Sequence, residues 1–231
     1  MSIFECHALT KNYGSVTALD NMDLELEGGR IVGLLGPNGS GKTTLIKIAS
    51  RLLQPTSGEL LIDGMKPGVA TKAEVAYLPD RQFLPEWMTT KQLLQMYKDF
   101  FTDFDMDKAA EMMASLQIPD RQNIKKLSKG TRDKVQLILT MSRRAKVYLL
   151  DEPIAGVDPA ARDYILKTIL GNYAEGSLVL ISTHLITDVE PVLDEAVFLR
   201  QGHVILHESV DALRQRTGKS VNDYFKEAFA C

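Results

Sequence analysis

The stretch that most constrains this chain is Gly36-Pro37-Asn38-Gly39-Ser40-Gly41-Lys42-Thr43, followed by Thr44. It satisfies the phosphate-loop pattern G-x-x-x-x-G-K-[ST]. Ahead of it, Arg30–Leu35 is short and apolar, as a buried strand is. Behind it, Thr44–Leu53 has helical spacing at Leu45, Ile48, Ala49 and Leu52. Strand, glycine loop and helix in that order gather backbone N–H groups at a helix N-terminus, where unpaired donors and the helix dipole favour an anion. Gly36, Gly39 and Gly41 let the chain turn and approach the ligand closely. Lys42 is placed to reach the β- and γ-phosphates, and the Thr43 hydroxyl to ligate Mg²⁺. The stretch reads as a nucleotide site.

The 231 residues suffice for one large or two small domains, and 45% hydrophobic with 25% charged residues is ordinary for a globular protein. A formal charge of −3 provides no overall basic field for nucleic acid or anionic lipid. Cys6 and Cys231 lie at opposite ends without metal-ligand spacing, which fits a reduced, cytosolic setting. No apolar run approaches the ~20 residues of a membrane span. Met1–His7 has no basic region followed by an apolar core, so no signal peptide is expected.

Around the loop, Ile3–Leu9, Met22–Glu27, Gly58–Gly64 and Val75–Leu78 read as strands, with a turn at Tyr13-Gly14-Ser15. From Thr89 to Arg144 the texture is helical. Thr89 and Gln92 offer a capping box, and Leu93, Tyr97, Phe100 and Phe104 are expected on one face. Further helices are expected over Met106–Gln117 and from Ser128. Strand and helix then alternate again, through Val147–Leu150, Pro159–Leu170, Ser177–Ser182, Leu185–Val192, Ala196–Leu199 and Val204–Leu206. A last helix runs from Ser220. The expected fold is α/β: a phosphate-loop core with a mostly parallel sheet, an N-terminal antiparallel β subdomain and a helical insert. Residues 1–79 and 145–231 form the core and 80–144 the insert, within one domain over 1–231.

Lys146–Pro153 supplies the second half of the chemistry, an apolar strand ending in Asp151 and Glu152. An Asp at such a strand end holds Mg²⁺ in phosphate-loop enzymes, and the adjacent Glu is placed to polarise the attacking water. His184 follows the Ser177–Ser182 strand and is a candidate for sensing the γ-phosphate or holding that water. His203 and His207 flank Ile205 in an alternating strand and are read as structural. Leu127-Ser128-Lys129-Gly130-Thr131 opens a helix and forms a second anion-attracting end. Either both ends meet one nucleotide within a chain, or the second serves a nucleotide on a partner; the residues themselves leave that open.

Taken in order, these motifs resemble the ATP-binding cassette (ABC) transporter ATPase over essentially the whole chain. Gly36–Thr43 is similar to its Walker A loop, Val147–Asp151 to its Walker B strand with Glu152 as catalytic glutamate, and Leu127–Thr131 to its signature motif. Ala155–Asp158 resembles the D-loop, His184 the switch histidine, and Tyr13 the aromatic that stacks on adenine. The chain departs from the pattern twice. The signature reads Leu-Ser-Lys-Gly-Thr rather than LSGGQ, retaining Ser128 and Gly130 and adding the charge of Lys129. Where the family commonly has Gln, Asp80 stands, with Gln82 two residues on; an Asp retains the capacity to ligate Mg²⁺.

The resemblance implies ATP and Mg²⁺, and two cassettes stacked head to tail as a homo- or heterodimer, with Ser128 serving the partner's γ-phosphate. It implies a separate transmembrane permease, and so a cytoplasmic protein held on the inner face of the membrane through that partner. The motif flavour is similar to bacterial exporters of drugs, peptides and antibiotics. A soluble ABC-type ATPase such as an assembly scaffold is the alternative, or an ATP-dependent regulatory subunit, which only Asp80 and Lys129 favour. Phe83, Leu84 and Trp87, in an apolar-rich loop, either help form the permease socket or pack onto the insert.

Overall fold

Ile31–Leu35 is buried at every residue, so it sits inside a sheet covered on both faces. The computed structural model describes residues 2–230; Cys231 lies outside them. Ser2–Tyr13 (β1), Val16–Glu27 (β2) and Ser57–Ile62 (β4) form an antiparallel sheet in the order β2-β1-β4. The larger sheet combines Ile31–Leu35 (β3), Val75–Leu78 (β5), Val147–Asp151 (β6), Leu178–Thr183 (β7), Glu195–Arg200 (β8) and His203–Ser209 (β9). Its order is β5-β6-β7-β3-β8-β9, parallel throughout except for the β8–β9 hairpin.

Alternation along the parallel strands divides the core in two. Leu35, Tyr148, Leu150, Val179 and Ile181 face Ile165 and Ile169 of Pro159–Asn172 (α6), together with the aromatics of the last helix, Val221–Ala228 (α9). Val32, Leu34, Leu149 and Leu180 face Leu45 and Ile48 of Lys42–Ala49 (α1), and beyond it Phe4, Leu24 and Leu26 of the antiparallel sheet. Loop and helix α1 are thus held between two sheets.

Thr90–Phe100 (α3), Met106–Ser115 (α4) and Lys129–Met141 (α5) carry a separate cluster that includes Leu93, Tyr97, Phe104, Met113, Val135 and Ile138. Thr89 and Gln92 form the expected capping box, and Asp105 and Ser128 cap α4 and α5. A four-residue helix, Val69–Lys72 (α2), precedes β5 and is too short to carry a periodic signal.

Several expected boundaries shift. Strands β1 and β2 run on to the hairpin turn. The alternation is broken there by register shifts and by positive φ at Ala8 (47°) and Asn21 (45°), so periodicity ends before the strands do. Helix α1 stops at Ala49: the N–H groups of Leu52 and Leu53 both bond the Lys47 carbonyl, Arg51 has φ 60°, and Leu52 is exposed. Helix α4 ends at Ser115, two residues short of Gln117, whose φ is 53°. Phe100 does not share the burial of Leu93 and Tyr97. Helix α3 ends there, Phe100 is 77% exposed, and an extended Phe101 folds the chain back. Phe101 and Phe104 then pack on Tyr97 with ring centroids 5.4 and 5.6 Å away.

Insert and core are joined by Arg143, which is 4% exposed. Its guanidinium donates to the carbonyls of Lys72, Ala73 and Val75, binds Asp103 at 2.9 and 3.0 Å, and lies 3.9 Å from the Phe101 ring centroid. Removing it leaves Asp103, the buried Val75 carbonyl and the part-buried carbonyls of Lys72 and Ala73 without their donor. Arg143→Met is therefore expected to lower unfolding free energy by about 3 kcal/mol. Urea denaturation followed by circular dichroism measures this.

Candidate functional site

The loop turns at the C-terminal end of β3, where parallel sheets place their ligands. Two glycines there admit no side chain. A Cβ on Gly36 would stand 2.4 Å from the Leu199 carbonyl oxygen, and one on Gly41, at φ 111°, would stand 2.5 Å from that of Ala18. Strand β2 and the end of β8 thus press the loop into shape. The N–H of Gly202 bonds the Ser40 carbonyl at 3.0 Å, tying the loop to the β8–β9 turn. Lys42 is buried, and its ammonium donates to the carbonyls of Gly36 (2.7 Å) and Pro37 (3.1 Å). Burial lowers its pKa, against the opposing pull of Glu152 and Asp151. The buried Ser40 Oγ has no hydrogen-bond partner among the described residues.

Asp151 ends β6 opposite Ser182 of β7, and two hydroxyls, one set there by that register and one from the start of α1, meet a single carboxylate oxygen. Ser182 Oγ donates to Asp151 Oδ1 at 2.5 Å and Thr43 Oγ1 at 3.1 Å. The other oxygen, Oδ2, is buried with no partner among the described residues. Desolvation raises the Asp151 pKa, helped by the negative charges of Asp80 and Glu152, while the two hydroxyls oppose it. A buried carboxylate with a free oxygen beside a threonine hydroxyl is a donor set that fits Mg²⁺, a hard cation that takes oxygen ligands.

Glu152 adopts φ 51°, uncommon for a residue with a side chain, and its N–H bonds the Ser182 carbonyl at 2.9 Å. Its carboxylate accepts from Thr183 Oγ1 at 3.2 Å and lies 3.0 Å from His184 Nδ1. That contact requires the proton on Nδ1, leaving Nε2 of the neutral ring as an acceptor. Lys42, Thr43, Asp151, Glu152 and His184 are therefore one constellation.

Asp80 is exposed beyond Pro79, and its charge acts on Asp151. Its neighbour Gln82 donates to Asp133 Oδ1 (2.7 Å) and the Lys129 carbonyl (3.3 Å), and Gln136 donates to the Pro79 carbonyl (3.2 Å). The segment after β5 is thus pinned to α5. Ser128 Oγ accepts the Thr131 N–H at 3.1 Å, and Gly130 has open space where a side chain would be. No hydrogen bond joins Ser128, Gly130 or Tyr13 to the phosphate loop among the described residues. Tyr13 is half-exposed at the β1–β2 turn, with the Lys11 ammonium 5.3 Å from its ring centroid. His203 pairs with Asp20 and His207 with Glu195, in keeping with structural roles. Leu84 is buried in the insert, whereas Phe83 and Trp87 are exposed, so the three do not form one socket.

Ser182 is the functional candidate that the sequence reading overlooks. Its signal is positional: the last apolar-flanked residue of a strand parallel to the one ending in Asp151.

Fold and site together define a nucleotide-binding cassette of the phosphate-loop class. A family model described as ABC transporter matches residues 19–155. The ABC transporter ATP-binding protein YtrB of Bacillus subtilis (strain 168) is 30% identical over 216 residues, 92% of this chain and 74% of that protein. The daunorubicin resistance ATP-binding protein DrrA3 of Streptomyces coeruleorubidus is 28% identical over 216 residues, 90% of this chain and 68% of its own. A solved ATP-binding subunit of an ABC transporter superposes with a TM-score of 0.88 at 26% identity, over 98% of this chain and 99% of that one. The chain belongs to the ABC transporter ATP-binding family. Other relatives are named for peptide export and for aliphatic sulfonate import.

A carboxyl whose pKa is raised on folding opposes folding once it ionises. Stability without ligand therefore falls as pH rises from the unfolded carboxyl value, about 3.9, through the raised value of Asp151. Asp151→Asn is expected to stabilise the nucleotide-free protein by on the order of 1 kcal/mol at pH 7 and to lose that advantage in acid. Thermal melts across pH check both, with loss of Mg²⁺-dependent ATP binding alongside.

Proposed function

We propose that this chain is the ATP-hydrolysing subunit of a membrane exporter of drugs, peptides or antibiotics, acting as one of two cassettes that enclose ATP between them. The observation that carries the ATPase reading is the buried Asp151, one oxygen held by Thr43 and Ser182 and the other free. Export rests on the motif flavour and on the likeness to a drug-resistance ATP-binding protein.

The backbone of Gly36–Thr43, with Pro37, Asn38, Gly39, Ser40, Gly41 and the following Thr44, cradles the phosphates at the start of α1. Lys42 leaves its loop carbonyls to meet the β- and γ-phosphates. Thr43 and Asp151 would hold Mg²⁺, with Asp80 as a further oxygen donor. Bound there, Mg²⁺ neutralises phosphate charge and polarises the γ-phosphoryl group. Glu152 orients and deprotonates the attacking water, and His184 fixes the Glu152 carboxylate through Nδ1. Tyr13 stacks on the adenine. Ser128 and Gly130, which lie apart from their own chain's loop, serve the γ-phosphate of the partner cassette.

Residues 80–144 form the helical unit and 1–79 with 145–231 the core. Between them lies a cavity of about 530 Å³ whose lining includes Leu52, Tyr77, Phe83 and Phe101. A short helix of the permease docks there and holds the subunit at the cytoplasmic face of the membrane.

Glu152→Gln is expected to cut ATP turnover by at least about 100-fold and to accumulate an ATP-bound dimer on size-exclusion chromatography. An unchanged rate would falsify the base assignment. Phe83→Asp, at the groove rim, is expected to abolish co-purification with the membrane subunit while leaving ATP binding intact. Isolation of the wild type only in soluble complexes would favour a non-transport ATPase instead.

A further inference from the structure

Trp87 is 70% exposed and lies outside the apolar groove, on a hollow of its own. The hollow measures about 430 Å³ and is lined by Glu86, Trp87, Asn123, Lys125 and Lys126. Its walls are two loops joined through their backbones. The Ile124 N–H bonds the Met88 carbonyl at 2.9 Å and the Lys125 N–H the Glu86 carbonyl at 3.1 Å, while Asn123 Nδ2 donates to the Trp87 carbonyl at 3.2 Å. The loop that presents the indole is therefore fixed, which lowers the entropy cost of binding.

The charges around the indole do not balance. Glu86 is engaged by Arg132 at 3.2 Å. Lys125 and Lys126 are both exposed, with no ion-pair partner among the described residues. An uncovered tryptophan beside two free ammonium groups and a neutralised carboxylate selects a partner that brings an apolar side chain and negative charge. Two lysines fall short of the roughly four to eight basic residues that recognise anionic lipid, and a chain of net charge −3 is repelled by such a surface.

We propose that this hollow docks an acidic segment of the membrane subunit, one that sets an apolar side chain on Trp87 and carboxylates against Lys125 and Lys126. This contact rests on the transporter reading and is separate from the groove at Phe83. It also lies one turn from the signature motif: Ile124–Lys126 forms a 3₁₀ turn, the Leu127 N–H bonds the Ile124 carbonyl at 3.0 Å, and Ser128 caps α5. A segment seated on the hollow therefore fixes the frame from which Ser128 is presented.

The test is photocrosslinking in the complete transporter in membranes, with p-benzoylphenylalanine placed at position 87 or, separately, at position 83. The expected adduct from position 87 is a peptide of the membrane subunit rich in Asp or Glu. Reversing both charges, Lys125→Glu with Lys126→Glu, is expected to lower its yield about tenfold and leave the position 83 adduct unchanged. Adducts with phospholipid or with a second copy of this chain overturn the proposal, as does no adduct from position 87 when position 83 does crosslink. If the chain does not associate with a membrane subunit at all, the transporter reading fails and this contact with it. Because the three side chains are exposed, ATPase activity of the soluble variants is expected to match the wild type, which separates lost docking from misfolding.

Discussion

A carboxylate in the interior, satisfied on one oxygen only, is the interaction on which the site depends. Placing Asp151 there costs desolvation energy, and the two hydroxyls that meet its Oδ1 recover part of it. The other oxygen, Oδ2, is left without a partner among the described residues. Parallel pairing of β6 and β7 puts Ser182 opposite Asp151, and the close seating of Gly41 on Ala18 starts α1 where Thr43 can reach Oδ1 as well. The sheet, the glycines and the second, antiparallel sheet are all needed to keep that oxygen dry and aimed.

Much of this was legible in the chain itself. The phosphate loop, the strand ending in two carboxylates and the capping residues Thr89 and Ser128 are short patterns whose physics is local, and local physics survives folding. What escaped reading depends on contacts far apart in sequence. Ser182 gains its role only from the register of a strand beginning 27 residues after Asp151. Phe100 keeps helical phase with Leu93 and Tyr97 yet stays exposed, because an extended Phe101 turns the chain there and lets Phe101 and Phe104 cover Tyr97 instead. The bulged hairpin β1–β2 hid its length because each register shift inverts the alternation by which strands are recognised. The separation of Phe83 from Trp87 is likewise tertiary: both sit in one apolar-rich loop, yet they face different hollows.

The nucleotide half-site and the signature helix belong to one chain but share no hydrogen bond among the described residues. Their connection runs through the loop after β5, where Gln82 donates to Lys129 and Asp133 of α5 and Gln136 of α5 donates back to the Pro79 carbonyl, while Asp80 on the same loop acts on Asp151. Any shift of α5 therefore pulls on the segment whose charge acts on Asp151. The two departures from the family pattern, Asp80 and Lys129, line the same cleft as Glu152.

Arg143 gives the groove beside this route a mechanical character. Lys72 and Val75 line the groove, and their carbonyls, with that of Ala73, are gripped by a single planar cation that also holds Asp103 of the insert. Such a wall yields little, because bending it breaks several charge-assisted bonds at once. A load applied in the groove is thus passed on to the insert rather than absorbed.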